Sequence, residues 1–437
     1  MIPHTLRATF AYPNAEDAAP YSASPSVAAI PRQLDYAIRS AGEVTGPDPT
    51  TEQTRLKGKV VYVPQLDFSR FKGEAVIDWI RFDLTLRETT QGQHLNRWCK
   101  RAGLNPRFQA IDQQGKEQGA SRTSDRFRCT LQNADARKFA QVIAVVAERN
   151  DILHAPVISG LEVAIDFYPL DDGERDVLRD LMVAVLQRSS FPLELSAASP
   201  HADCRQFYRL AGEDWQEVAR RPRFIFPAAN DTDAATAPRR RYSDQHVEHK
   251  STRQRLLRAT GDGKYPPQMF LNSTLSFGAV AESMVSVHNK IYDVRRGGDA
   301  ELLPPNARRA RVEVRLSQRH LEELGLYTVD DLHRFEFKTL RKRYFAFVHP
   351  LVNPLASRAQ FERYERIGSY GLIWYTRAMR REREAEEDAN SDVVRTTQRQ
   401  RQGGREMREG CISFGELNAL AHKALRSLRW DGDRGAA

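Results

Sequence analysis

The sequence predicts an α+β fold: a mostly antiparallel sheet with helices packed on one face, and flexible N- and C-terminal tails. Strand-like and helix-like segments alternate irregularly, unlike the regular strand–helix order of parallel folds. Several strand-like segments alternate polar with apolar residues, which is typical of an antiparallel sheet with one solvated face. The two ends of the chain lack a sustained apolar period, which favours disorder there.

The N-terminal part divides into a disordered segment and a first half-domain. Residues 1–56 are rich in Ala, Pro, Ser and Thr and are predicted to be disordered. Order is expected to begin with GKVVYVP, so the N-terminal half of the folded domain is assigned to 57–227. Runs of β-branched and aromatic residues predict strands at 76–86, 125–132 and 157–169. Apolar residues at helical spacing predict helices at 134–150 and 172–189.

A polar, proline-bearing segment at 228–241 predicts a linker or insertion before the C-terminal half of the domain, 242–375. This half is predicted to contain strands at 273–278, 285–288 and 307–316, followed by a short helix at 317–326 that Gly325 ends. Residues 376–437 form a charged tail in which 412–428 has the pattern of a helix.

Composition limits the classes of function. The formal net charge of +9 and a pI near 9.4 favour contact with a polyanion such as DNA, because Lys and Arg release counterions from phosphates. The four cysteines are far apart, which fits a reducing cytoplasm rather than a disulfide framework. No apolar run reaches the roughly 18 residues of a membrane span. Neither a P-loop nor a nucleophile elbow is present.

Carboxylates on two predicted strands are candidate metal ligands. Glu162 and Asp166 are four residues apart in one strand and therefore point to one face, with the small Ala164 between them. Glu313 lies on another strand, flanked by arginines on the same face. If the two strands are neighbours, Glu162, Asp166 and Glu313 converge into a site for Mg²⁺ or Mn²⁺. The alternative is a solvated polar face with surface ion pairs.

Tyr292 is a candidate nucleophile because a phenol can attack a phosphodiester when cations offset the developing charge. The cations near it in sequence are Lys290, Arg295 and Arg296. The alternative is an ordinary half-buried loop tyrosine, since Tyr242 and Tyr344 also have basic neighbours.

Basic and aromatic residues interleave in FEFKTLRKRYFAF, residues 335–347. The aromatic residues of this segment can either stack on bases or fill a core. Its cations are candidates for phosphate contacts: Lys338, Arg341, Lys342 and Arg343.

The order of five segments resembles the rolling-circle replication initiation proteins of plasmids and filamentous phages, in the group lacking the His-hydrophobic-His motif. The resemblance spans about residues 76–350. It rests on these segments in this order: IDWIRFDLTL, ISGLEVAIDF, STLSFG, VSVHNKIYD and RRARVEVRL. Each motif is weak alone, and their order carries the resemblance.

The resemblance implies an endonuclease and strand transferase that nicks one strand of a replication origin. A tyrosine keeps the 5′-phosphate and leaves a 3′-hydroxyl for polymerase. By position, Tyr292 is the implied nucleophile, with Glu162 or Asp166 and Glu313 holding Mg²⁺ or Mn²⁺. The implied partners are single- and double-stranded origin DNA and host helicase and polymerase. A homodimer is compatible with the resemblance, and no membrane is implied.

The chain departs from this family at His288, where members commonly carry a tyrosine. Two hypotheses follow. The first is a nicking initiator of rolling-circle replication. The second is an origin-binding initiator or DNA-binding regulator on the same scaffold that performs no covalent chemistry.

Overall fold

The fold is taken from a computed structural model that describes most of the predicted domain and short parts of both ends. The predicted linker at 228–241 lies outside the described residues, as does most of the charged tail. The described residues are 5–10, 32–45, 56–190, 208–209, 274–278, 283–294, 300–352 and 411–431.

The described residues form sixteen strands and seven α-helices. The strands are β1 Thr5–Phe10, β2 Arg32–Ser40, β3 Val60–Pro64, β4 Phe71–Gln91, β5 Arg107–Ile111, β6 Glu117–Gly119, β7 Thr123–Gln132, β8 Val157–Pro169, β9 Tyr208–Arg209, β10 Thr274–Gly278, β11 Met284–Lys290, β12 Tyr292–Val294, β13 Ala300–Leu302, β14 Arg309–Ser317, β15 Val348–Val352 and β16 Cys411–Ser413. The helices are α1 Ala41–Thr45, α2 Gly92–Arg101, α3 Ala136–Ala147, α4 Arg175–Ser189, α5 Gln318–Glu323, α6 Leu340–Tyr344 and α7 Gly415–Ser427.

A nine-stranded sheet is the centre of the fold. Its strand order is β6-β5-β7-β4-β8-β14-β11-β10-β9, and all of its described pairings are antiparallel. The prediction that the strands near 76–86, 158–167, 273–288 and 310–316 share one antiparallel sheet is confirmed. The α+β fold class is confirmed with it.

One face of this sheet is apolar and carries the helices. Phe82 of β4 meets Phe139 of α3 edge-to-face, with ring centroids 5.1 Å apart. On the other half of the sheet, α4 buries Met182 and Val185 beside β11 and β14. Such burial contributes about 25 cal/mol per Å² of apolar area, which makes this face the main core. Among the helices that the structure describes, none combines the length and apolar character needed to cross a bilayer.

The N-terminal segment is more ordered than its composition predicts. β2 pairs with β3, and β1 pairs with β2, in a second sheet of order β1-β2-β3-β15-β16. Leu34 and Tyr36 of β2 are buried in the main core. The prediction of disorder over 1–56 is therefore wrong for the two strands and for α1, because distant strands supply burial that local composition does not reveal.

The C-terminal helix predicted at 412–428 is confirmed as α7, and it is part of the core. Leu417, Ala421 and Leu425 are fully buried. The helix lies so close to β4 that a Cβ added to Gly73 would sit 3.3 Å from the Leu420 side chain. Residues 376–410 of the predicted charged tail lie outside the described residues.

The end of α5 confirms the predicted role of Gly325. This glycine has a φ of +77°, which side chains with a Cβ rarely adopt. The amide of Leu326 donates to the carbonyl of Leu321 at 2.9 Å, a bond typical of a glycine-terminated helix.

Candidate functional site

The second face of the nine-stranded sheet is rich in charged residues, and the strand register sets them side by side. β8 and β14 are neighbours, as the convergence of their carboxylates requires. Arg315 lies opposite Glu162, and Arg311 lies opposite Asp166. Glu313, between the two arginines, lies opposite Ala164, whose small side chain leaves space on this face.

Three carboxylates converge at the centre of this face. Asp78, Glu162 and Glu313 each place an oxygen within 4.8 Å of the other two. The side chains of Asp78 and Glu313 are 28% and 13% exposed, and Glu162 is 4% exposed, so the group opens toward solvent at Asp78. This trio is called the carboxylate cluster below. Three oxygen donors gathered in this way could hold a hard divalent cation such as Mg²⁺ or Mn²⁺.

Asp78 reaches the carboxylate cluster through a β-bulge. The pairing of β4 with β8 shifts register between Ile77 and Trp79, so Asp78 is an extra residue in β4. Ile77 and Ile80 are both buried in the apolar core, and Asp78 and Trp79 lie between them on the charged face. A bulge of this kind re-aims a side chain. Strict alternation from Ile80 and Phe82 would instead place Asp78 on the apolar face.

Two carboxyl groups of the carboxylate cluster have raised pKa values when no cation offsets their charge. Burial and the neighbouring Glu313 raise the pKa of Glu162 to about 8, against the opposing effect of Arg315. Burial also raises the pKa of Glu313 to about 6. Like charges held together out of water disfavour full ionisation, and a bound cation would reverse this.

Asp166, a predicted ligand, is engaged by arginines and lies outside the carboxylate cluster. Arg311 donates to both of its oxygens, from Nε at 2.6 Å and Nη2 at 2.8 Å. Arg309 Nε lies 2.9 Å from Oδ2 of the same carboxylate. Asp166 therefore holds the cationic strand β14 in register. The third carboxylate of the cluster is Asp78, where the sequence had predicted Asp166.

His288 lies beside the carboxylate cluster. Its Nε2 lies 3.7 Å from Oε2 of Glu313 and has no hydrogen-bond partner among the described residues. Burial, aided by Arg311 and Lys290, lowers the pKa of His288 well below its usual range, so the ring is neutral near pH 7. The position at which the resembling family carries tyrosine is thus beside the carboxylates.

Tyr292 begins β12, beyond the end of β11. Ser286 is the residue of β11 opposite Glu313, so Tyr292 lies six residues farther along the chain. Six extended residues span about 20 Å. Lys290 pairs with Asp293 at 2.7 Å, while the predicted DNA contacts Arg295 and Arg296 lie outside the described residues.

The basic segment predicted to contact DNA lies with α7 on the helix-covered side of the sheet. Its aromatic residues Tyr344, Phe345 and Phe347 are buried, which decides between the two interpretations in favour of the core. Arg341 donates to Asn418 of α7 at 3.2 Å, and Lys338 pairs with Glu336. The segment is therefore separate from the carboxylate cluster. Its exposed cations are Lys338 and Lys342, and Arg343 is half-buried.

A double replacement of Lys338 and Lys342 by alanine tests whether this segment meets DNA. If both cations contact phosphates, the slope of log affinity against log salt is expected to flatten by about 1.8 on duplex DNA, since each contact contributes about 0.9. Filter binding across a salt series measures the slope. Lys100 of α2, an exposed cation outside this segment, offers a control, Lys100→Ala. Equal slopes for the wild type and the double variant would remove this segment from the DNA surface.

Comparison with known proteins identifies no relative. No family model, no curated protein and no solved structure matches the chain. The site itself offers two chemical capacities: three converging carboxylates that fit a divalent cation, and a surrounding set of guanidinium groups that suit phosphates.

Proposed function

We propose that this chain binds a replication origin and nicks one DNA strand with a divalent cation, Mg²⁺ or Mn²⁺, to start rolling-circle replication. The observation that carries the proposal is the convergence of Asp78, Glu162 and Glu313 on an arginine-rich sheet face. Phosphodiester cleavage needs charge neutralisation at the phosphate, and this site combines a cation-binding group with fixed guanidinium donors. The net charge of +9 supports a polyanionic substrate.

In this proposal the phenol oxygen of Tyr292 attacks the phosphorus in line and forms a phosphotyrosine ester. The bond from phosphorus to the 3′-oxygen breaks. The phenol loses one proton and the leaving 3′-oxygen takes up one, so the number of protons is unchanged. The cation, when bound, would polarise a non-bridging oxygen and stabilise the charge of the leaving oxygen. Asp78, Glu162 and Glu313 would hold that cation beside the phosphate. The roughly 20 Å of chain between Ser286 and Tyr292 requires the hairpin of β12 and β13 to fold back over the carboxylate cluster.

A second candidate function is origin binding without covalent chemistry. The observation that favours it is His288, which stands beside Glu313 where the resembling family commonly carries a tyrosine. If that position is the one from which attack occurs, this chain has lost the phenol and keeps the scaffold.

An assay for protein covalently linked to a supercoiled plasmid carrying its own origin tests the proposal. Wild-type protein with Mn²⁺ is expected to form a 5′-linked adduct, and Tyr292→Phe is expected to form none while still binding DNA. Glu313→Gln is expected to slow adduct formation by about 100-fold or more, because one cation ligand is lost. The exposed Tyr327 offers a matched control, Tyr327→Phe, which is expected to react like the wild type.

The outcomes separate the two candidates. Wild-type protein that binds the origin but forms no adduct with either cation favours the non-catalytic function. An adduct that persists in Tyr292→Phe excludes Tyr292, and its acid stability then identifies the attacking group. An acid-labile link indicates a phosphoramidate on His288, and an acid-stable one indicates another tyrosine. Tyr344 is excluded as that tyrosine because it is buried in the core, which leaves Tyr242 as the next candidate.

We also infer a cytoplasmic location and host helicase and polymerase as partners, since a nick supplies a 3′-hydroxyl for elongation. Cys99 and Cys129 are free thiols in the structure, which suits a reducing compartment. A homodimer remains compatible with this function.

A further inference from the structure

Arg81 is a half-buried cation that forms no ion pair within the described part of the chain. It lies on β4 of the charged face, opposite Gly160 of β8. Its Nε is buried without a hydrogen-bond partner, and no carboxylate pairs with its guanidinium among the described residues. Burial lowers the pKa of Arg81. The attraction of Glu117 is the largest opposing effect, and the nearby Arg128 and Arg315 lower the pKa further against a smaller attraction of Asp83.

Arg81 shares a tryptophan with a second arginine of the same face. The guanidinium carbons of Arg81 and Arg315 lie 5.2 Å and 5.4 Å from the centroid of the Trp79 ring. Gly160 makes room for this ring, since an added Cβ there would meet it at 3.0 Å. The indole thus holds two cations near each other that would otherwise separate, and cation–π attraction offsets part of their repulsion.

The two arginines adjoin the carboxylate cluster. Arg315 Nε and Nη2 each lie 3.1 Å from Oε2 of Glu162, which leaves Nη1 without a partner in any described contact. Trp79 follows the bulged Asp78 directly and pairs with Glu162 in the register of β4 and β8. An anion held by Arg81 and Arg315 would therefore lie next to a cation held by the carboxylates.

We propose that Arg81 and Arg315, set on Trp79, form a phosphate-binding site that holds a backbone phosphate of a nucleic-acid strand beside the carboxylate cluster. A cation kept partly out of water without a counter-charge is costly, and an anionic ligand removes that cost. The planar guanidinium suits phosphate because it donates two parallel hydrogen bonds. The ligand class rests on the proposed function, in which DNA crosses this face.

The test measures binding of a fluorescein-labelled single-stranded oligonucleotide by the full chain in EDTA, so that no nicking occurs. Arg81→Met keeps the apolar stem and removes the charge. It is expected to weaken binding about tenfold and to flatten the salt slope by about 0.7, the contribution of one phosphate contact on single strands. Arg149 offers the matched control. It also lies over a tryptophan, Trp98, but belongs to the helix-covered side, and Arg149→Met is expected to bind like the wild type.

The melting temperature gives a second measurement. Arg81→Met is expected to keep or raise the melting temperature, because no ion pair is lost and the methionine stem still packs on Trp79. Arg128→Met is expected to lower it, because Arg128 makes two bonds to Asp83, at 2.8 Å and 2.7 Å. An equal loss in both variants would show that Arg81 serves the fold, and would overturn the proposal.

The remaining outcomes keep this site distinct from the nicking reaction. If Arg81→Met binds the oligonucleotide as well as the wild type does, and inorganic phosphate does not stabilise the wild type against heat, the phosphate site is wrong whatever the adduct assay gives. If inorganic phosphate stabilises the wild type against heat and the DNA affinity of Arg81→Met is unchanged, the ligand is a free phosphate and the nucleic-acid assignment fails. If Arg81→Met binds weakly and the wild type forms no adduct, the phosphate site stands and the nicking function fails.

Discussion

Arg311→Ala is expected to lower the free energy of unfolding by about 3–5 kcal/mol, the range for removing one partner of a buried ion pair. Arg311 is 4% exposed, and Asp166, to which it donates twice, is 2% exposed. Its Nη1 also lies 3.1 Å from Asp78. Truncation leaves the buried Asp166 without its main donor in a poorly hydrated place, which is the source of the large effect.

Urea unfolding followed by circular dichroism measures this loss. Arg319→Ala is the control, because its pair with Glu323 is exposed and should contribute less than about 1 kcal/mol. The double variant Arg311→Met with Asp166→Leu is expected to recover part of the stability, since apolar replacement of both partners removes the stranded charge. A loss below about 1 kcal/mol for Arg311→Ala would mean that the pair does not hold β14 to β8.

The strands of the charged face could be predicted because their alternation is local. Arg311, Glu313 and Arg315 fall on every second residue, which fixes a common face in any extended strand. The sequence predicted converging carboxylates only on the condition that β8 and β14 are neighbours. The structure meets this condition, with Arg315 opposite Glu162. Register depends on contacts between distant segments, so the sequence could not decide whether Asp166 would meet a cation or an arginine.

Asp78 was missed because a bulge changes the face of a residue without a sequence signal of its own. Alternation from Phe82 and Ile80 predicts an inward Asp78, and only the register shift against β8 turns it outward. The strand sequence VIDWIRFDLTL nevertheless contains a signal that points to Asp78. A carboxylate at an apolar position of a strand is costly, and such a conflict often marks a functional site.

The order of the N-terminal strands also depends on distant partners. β2 joins β3, and β3 joins β15, which is nearly 290 residues later in the chain. The aromatic residues after Arg343 serve the same core through α7, although their basic neighbours resemble a stacking surface. Local composition predicts whether a segment is buried only when the segment packs against residues close to it in sequence.

The stability of the cation-free protein is expected to be greatest near pH 6.5 and to fall by about 2 kcal/mol between there and pH 8. The folded chain keeps a proton on Glu162, whose pKa is raised to about 8, while the unfolded chain has released it above about pH 4.5. Each pH unit in this window therefore costs about 1.36 kcal/mol. Below pH 6.5 the buried imidazoles of His288 and His349 act in the opposite direction. Their pKa values are lowered, so acid favours the unfolded chain.

Urea unfolding in EDTA at pH 6.5, 7.25 and 8 measures the decline, and Glu162→Gln is expected to abolish it because the amide does not titrate. Glu323→Gln, a change of the same type at an exposed residue, is expected to leave the decline intact. Mn²⁺ is expected to restore the wild type at pH 8 and to have little effect on Glu162→Gln, since the ionised carboxylates gain a counter-charge only when all three ligands are present. A decline that survives in Glu162→Gln would place the proton elsewhere. If Mn²⁺ does not change the stability of the wild type at pH 8, the carboxylate cluster does not bind the cation.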